Sequence, residues 1–215
     1  MQTLIDVGNT RIKWAALEHG ELTQSGHAWH RGTLDAALAA LASALPSRVG
    51  RFVVANVAGQ EVAERLNDLA RQRSGLEPRF VTTAHAQFGV RCAYADPARL
   101  GVDRWVAVLA AYHAAHGAAC VLDAGTAVTF DAVAADGRHL GGLIFPGAHM
   151  AAAALQQRTS EIGPTLTVAR APVGLELLGT STNAAVAHGA MLELAAALDR
   201  AHEGCRGKLN QQGVV

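Results

Sequence analysis

The 215-residue sequence is poor in aromatic side chains, which make up 5% of it, and it has no charge excess of either sign: 18 Lys and Arg stand against 18 Asp and Glu. Without a basic surplus, the electrostatic footprint of a nucleic-acid binder is missing. Cysteine is scarce too. Cys92, Cys120 and Cys205 are scattered and form no C-x-x-C pair, which points to neither a disulfide framework nor a zinc site. A reducing cytoplasm is the compartment expected from this. The N-terminus carries no basic region followed by an apolar stretch, so no signal peptide is read there. Residues 105–122 and 139–157 lack Asp, Glu, Lys and Arg, but the first is alanine-rich and the second is broken by Gly141, Gly142, Pro146 and Gly147. Neither reads as a membrane span. Ten histidines are present without an H-E-x-x-H pair, and they are read as surface or packing residues. The P-loop, the G-x-G-x-x-G fingerprint and the G-x-S-x-G elbow are all missing, which weakens the P-loop kinase, dinucleotide-enzyme and α/β-hydrolase readings.

Half of the residues are apolar, which excludes a disordered tail, yet 45 of them are alanine. The core is therefore expected to be aliphatic and closely packed. Residues 3–7 and 12–17 are apolar runs around the polar bend Gly8-Asn9-Thr10 and read as a hairpin. Helices are expected over 33–45, 60–73, 102–116, 147–157 and 182–201, and strands over 51–57, 79–82, 119–123, 127–133 and 139–145. Asp136-Gly137 signals a hairpin turn between the last two strands. Residues 84–101 read as irregular. A strand ending in Asp and Gly-Thr-type turn residues occurs at Asp6 and again at Asp123, which suggests a duplicated α/β architecture. Its two lobes would span 1–117 and 118–215 and meet at a cleft.

Asp6-Val7-Gly8-Asn9-Thr10 ends a strand at a carboxylate and follows it with a glycine and short polar side chains. Successive backbone N–H groups in such a turn can bind an anion, and Lys13 could reach a phosphate. Asp123-Ala124-Gly125-Thr126 repeats the logic. Carboxylates near phosphates call for an intervening hard cation. The alternative is that each is an ordinary strand–turn with a solvated Asp. In Gly101-Val102-Asp103-Arg104, Asp103 falls in the first turn of a helix, where a carboxylate offsets the helix dipole. It could equally be a base aimed at an alcohol, with Arg104 on an anionic substrate group. Gly179-Thr180-Ser181-Thr182 offers a helix cap or hydroxyls facing a ligand. Tyr94 could pack or wall a pocket.

The ordered set of Asp6 to Thr10, Tyr94, Gly101 to Arg104, Asp123 to Thr126, Gly141 to Gly147 and Thr182 to Gly189 resembles the type III pantothenate kinase family. Tyr94 seven residues before Gly101 makes the set specific. The resemblance implies an actin-like (ribonuclease H-like) fold, with each lobe a mixed sheet flanked by helices. It implies ATP-dependent phosphorylation of pantothenate, with magnesium on the ATP. It places Asp6, Val7, Gly8, Asn9, Thr10, Arg11, Ile12, Lys13 and Thr126 at the ATP phosphates, and Asp103 as acceptor of the hydroxyl proton. Pantothenate would be bound by Tyr94, Gly101, Val102, Asp103, Arg104 and Thr182. Asp123 would be the ligand of a monovalent cation, potassium or ammonium, and the chain would be a homodimer in the cytoplasm. The family also implies a further apolar strand after the helix ending near Ala201, for which the polar residues 203–212 offer no counterpart. The second lobe is therefore expected to be incomplete. A non-catalytic regulatory protein of the same fold, or a sugar or acetate-type kinase of the superfamily, is the alternative. The intact Asp6, Asp103 and Asp123 set opposes the first, and Gly-x-Asp-Arg after Tyr94 opposes the second.

Overall fold

The computed structural model describes residues 1–45, 50–158 and 177–210. The chain divides into two compact units: Met1–His85 with Asp96–Val106, and Ala86–Ala95 with Ala107–Val215. In the first unit, β1 (Gln2–Val7), β2 (Arg11–Glu18) and β3 (Glu21–Trp29) form an antiparallel meander. The sheet then extends from β1 to the parallel strands β4 (Phe52–Asn56) and β5 (Arg79–Phe80). Thr3, Ile5 and Val7 alternate with Leu4 and Asp6, as a half-buried strand requires, and the first three face inward. Against them pack α1 (Leu34–Ala44) through Ala37, Leu38 and Leu41, and α2 (Gln60–Ser74) through Val62, Leu66 and Ala70. These spacings of three and four residues set one stripe of each helix on the sheet.

The second unit contains a short ribbon, β6 (Ala86–Gln87) and β7 (Val90–Arg91). Its sheet is again a meander, β8 (Ala119–Ala124), β9 (Ala127–Val133) and β10 (His139–Pro146), with order β10-β9-β8. Helices α4 (Ala148–Arg158) and α5 (Thr182–Asn210) belong to it. Helix α3 (Val102–Ala114) begins in the first unit and continues into the second. Each unit therefore contains a three-stranded antiparallel meander, and the α/β duplication expected from the sequence is present as topology. In the described residues the second sheet ends at three strands, whereas the first continues into a parallel pair.

The turn at Asp136-Gly137 closes β9 on β10 with a three-residue loop: the Gly137 N–H donates to Ala134 O (2.9 Å) and the Ala134 N–H to Arg138 O (2.9 Å). Three readings need correction. Strand β3 is absent from the sequence expectation because Glu21 to Ser25 are all exposed and show no alternation. The stretch read as irregular holds β6, β7 and a short 3-10 helix, Pro97–Arg99, whose cap is the Asp96 carboxylate accepting from the Ala98 N–H at 3.1 Å. Helix α5 continues past Ala201 to Asn210, with Leu209 and Cys205 half-buried among the polar residues. Spacing of one apolar residue per turn suffices to hold a helix against a neighbour even when the rest is polar. The core of the first unit makes one prediction. Leu41 is fully buried in it, so Leu41→Ala should cost about 2–5 kcal/mol, read as a lower midpoint in chemical denaturation.

Candidate active site

The β1–β2 hairpin is built so that its polar residues stand away from the core. Asp6 and Lys13 are cross-strand partners on the outward face, and their charged atoms lie 3.5 Å apart with both side chains about half exposed. Of the eight residues Asp6 to Lys13, Val7 and Ile12 have no exposed surface, so they anchor the hairpin in the core and leave ligand contact to their neighbours. The Gly8 N–H donates to Arg11 O (3.0 Å), which closes the turn. Two further bonds hold it from outside the hairpin. His30 meets Gly8 O through Nε2 at 2.7 Å, and the His30 N–H donates to Thr10 O at 3.0 Å. The first contact fixes the proton on Nε2, because a carbonyl only accepts. The Arg11 guanidinium lies over the Trp29 ring, 3.9 Å from its centre. His30 was grouped with the packing histidines by sequence. It lies 22 residues from Gly8, and no local pattern marks that pairing.

The segment preceding α3 is tied to the same edge of the first sheet. The Val57 N–H, just past β4, donates to Val7 O at 2.9 Å. The Thr83 hydroxyl, just past β5, donates to Leu100 O at 2.9 Å. A side chain on Gly101 would start 3.9 Å from the Val57 methyl. Gly101 to Asp103 thus lie where β1, β4 and β5 end, the edge at which open α/β sheets bind ligands. Gly101 O accepts the Trp105 N–H (3.0 Å), so Gly101 caps the helix and Asp103 falls in its first turn. Asp103 is half-buried, and its Oδ1 accepts the Arg104 N–H at 2.7 Å. A Cβ on Gly101 would come within 2.6 Å of that same Oδ1. Glycine is required there if the carboxylate is to keep this position. Val102 and Arg104 are both buried, 7% exposed.

In the second unit, Asp123 and Thr126 stand on the β8–β9 hairpin, both exposed. The Gly125 N–H donates to Ala127 O at 3.0 Å, the same device that closes the first hairpin at Gly8. Gly147 backs this turn: its N–H donates to Thr126 O (3.0 Å), and a Cβ on it would lie 2.6 Å from Thr126 O and 2.7 Å from Gly125 O. Pro146-Gly147 therefore shapes the loop through close backbone approach. Tyr94, beyond β7, stacks on His139 at 6.3 Å between ring centres. Ser181 caps α5, its hydroxyl accepting the Ala184 N–H at 3.2 Å. Thr182 is thus released from capping and lines an apolar groove of about 710 Å³ between α4 and α5, with Ala151, Leu155 and Glu193. Tyr94, Asp123 and Thr182 stand on three separate elements of this unit. Among the described residues no group of three His, Cys, Asp or Glu side chains could hold a metal, and no helix is long and apolar enough to cross a membrane.

A family model described as type III pantothenate kinase matches residues 3–203. Relatives of that name include one from Nitrosococcus oceani, 38% identical over 205 residues, covering 93% of this chain and 76% of the relative. Another, from Halorhodospira halophila, is 36% identical over 209 residues, covering 92% and 78%. Among solved structures, a conserved protein of Campylobacter jejuni described as of the Baf family of transcriptional activators aligns with a TM-score of 0.55 at 19% identity, over 92% of this chain and 78% of that one. A Sinorhizobium meliloti protein described as a 2-dehydro-3-deoxygalactonokinase aligns at 0.50 and 15%, over 92% and 81%. At those identities the structures bear on the fold alone, a mixed α/β fold shared over most of the chain. The family model and the relatives together make the chain a member of the type III pantothenate kinase family.

Proposed function

We propose that this chain transfers the terminal phosphoryl group of ATP to the alcohol of pantothenate, the first step of coenzyme A synthesis. The observation that carries the chemistry is the position of Asp103, half-buried at the strand ends, where Val57 reaches both Val7 and Gly101, and kept there by the absence of a side chain on Gly101. Phosphoryl transfer has a loose transition state and needs orientation of the nucleophile more than a strong base. A carboxylate fixed as Asp103 is can orient a hydroxyl and take its proton as the bond forms. The Asp6–Lys13 hairpin would receive the phosphates, with the loop carbonyls of Gly8 and Thr10 drawn toward His30 and therefore not facing the anion. Thr126 would serve from the second hairpin. Tyr94, Gly101 to Arg104 and Thr182 would bind pantothenate, the buried Arg104 as partner of its carboxylate.

Asp6 and Asp123 supply the hard oxygen donors that magnesium and a monovalent cation favour, and with no three-ligand cluster among the described residues the remaining donors would be phosphate, carbonyl or water oxygens. Magnesium bound with ATP would neutralise charge on the phosphates. Asp123 would hold potassium or ammonium. A homodimer in the cytoplasm completes the reading.

Incubation with ATP, magnesium, potassium and pantothenate should yield phosphopantothenate, and a folded sample without turnover would sink the reading. Asp103→Asn should lower turnover by about a hundredfold or more, with ATP affinity by calorimetry nearly unchanged. Near-normal rates would show that Asp103 is not the proton acceptor. Sodium in place of potassium should slow the enzyme, and Asp123→Asn should make the two salts indistinguishable in the same assay. His30→Ala frees the Gly8 carbonyl, while the backbone bond to Thr10 O remains, and the KM for ATP should rise about tenfold while that for pantothenate stays constant.

A further inference from the structure

The segment that carries Tyr94 has little structure of its own, since β6 and β7 are two residues each. It is held instead by the far end of the β9–β10 hairpin, in the same unit. The Arg91 N–H donates to Gly137 O at 2.8 Å. The Ala93 N–H meets His139 Nδ1 at 3.4 Å, and the Tyr94 ring lies parallel to the His139 ring, 11° between planes. His139 in turn is held by Asp131 across the hairpin, Nε2 to Oδ1 at 3.0 Å, with the two side chains 0% and 2% exposed.

The order of donors fixes the tautomer. Ala93 offers an N–H, so Nδ1 must be the unprotonated acceptor. The ring proton then sits on Nε2 and donates to the Asp131 carboxylate. Donation runs one way only, from backbone N–H to imidazole to carboxylate, with Tyr94 stacked on the same imidazole. A carboxylate fully out of water is expensive to keep. Leucine at 131 and phenylalanine at 139 would fill such a site without that expense, and phenylalanine would still stack on Tyr94. What those residues could not do is accept the Ala93 N–H and fix the rotation of the ring beneath Tyr94.

We infer that His139 and Asp131 are positioning residues for substrate selection: the buried pair sets the height and plane of Tyr94, and through it the affinity for pantothenate. This rests on the reading above that Tyr94 touches pantothenate. The pair touches neither substrate, so its effect should fall on substrate affinity and leave the phosphoryl-transfer step alone.

The test uses the full chain. His139→Gln loses the ring under Tyr94 and the fixed acceptor for Ala93, yet retains a donor for Asp131. The expected result is faster amide hydrogen exchange at residues 92–95 of the ligand-free protein, a pantothenate KM raised about tenfold, and kcat and the ATP KM within about twofold of the parent. Asp131→Asn keeps an acceptor for Nε2–H, and a smaller KM rise in the same direction is expected. It also decides the matter should His139→Gln not fold, since an unchanged pantothenate KM would then overturn the inference. Unchanged exchange at 92–95 in a folded His139→Gln would overturn it as well, as would an equal fall in kcat. Faster exchange with an unchanged pantothenate KM would equally count against it. Tyr94→Ala in the same assay then locates the fault: an unaffected KM there means that Tyr94 does not touch pantothenate, whereas a raised KM means that the pair does not position it.

Discussion

Because β1 and β4 run parallel, their carboxyl ends emerge at the same edge of the first sheet, and whatever follows each strand meets there. The chain after β1 is the Gly8 turn. The chain after β4 begins with Val57, whose N–H bonds back to Val7 O and whose side chain faces Gly101. The chain after β5 reaches Thr83, which holds Leu100 O. The chains after β4 and β5 therefore hold one short segment, Leu100 to Asp103, and Val57 ties it in turn to the end of β1. An antiparallel neighbour in place of β4 would deliver its following loop to the opposite edge, and Asp103 would have nothing to stand beside.

Backbone hydrogen bonds do most of this positioning, and side chains refine it by their size. Gly101 and Gly147 make the same kind of contribution in the two units. Each is the point where a Cβ would collide with an oxygen that the site needs in place, Asp103 Oδ1 in one case and the carbonyls of Gly125 and Thr126 in the other. A contact at 2.6 Å is too short for any side-chain carbon, so the requirement is steric and does not depend on the glycine's conformational freedom. The two hairpins are closed alike, with an N–H from Gly8 or Gly125 to a carbonyl just beyond the turn. Similar sequence at Asp6 and Asp123 thus goes with a glycine N–H closing each turn, over three residues at Gly8 and two at Gly125.

What could be read from sequence was what is local. Apolar runs around a polar bend gave β1 and β2, an alanine- and leucine-rich stretch gave α1, amphipathic spacing gave α2, and Asp136-Gly137 marked its turn, because each depends on residues within a few positions. Gly101-Val102-Asp103-Arg104 was legible as a helix start bearing a carboxylate. That Gly101 abuts the Asp103 oxygen was not, since spacing carries no distances. β3 escaped because an exposed edge strand has no buried face to print an alternation on its sequence. His30 and the Asp131–His139 pair escaped for another reason. Their partners lie across strands or turns, 22 residues away for His30 and Gly8 and eight for His139 and Asp131, and an isolated histidine looks the same whether it packs, ligates or holds a loop. Ser181 and Thr182 were adjacent candidates for one cap, and only the bond from the Ala184 N–H to the Ser181 hydroxyl separates them.

The polar contacts also differ in strength according to what must happen at each. The Asp6–Lys13 pair is half exposed, and ion pairs of that kind contribute about 0–1 kcal/mol. On the reading proposed above, such a pair would yield readily to a phosphate, whose charge attracts the ammonium more strongly than one carboxylate does. The Asp131–His139 pair is wholly buried, and removing one partner would strand the other without water. On that reading, the solvated pair of the first unit is one that a ligand could displace at little cost, whereas the dry pair of the second unit holds the fixed shape that its neighbours require.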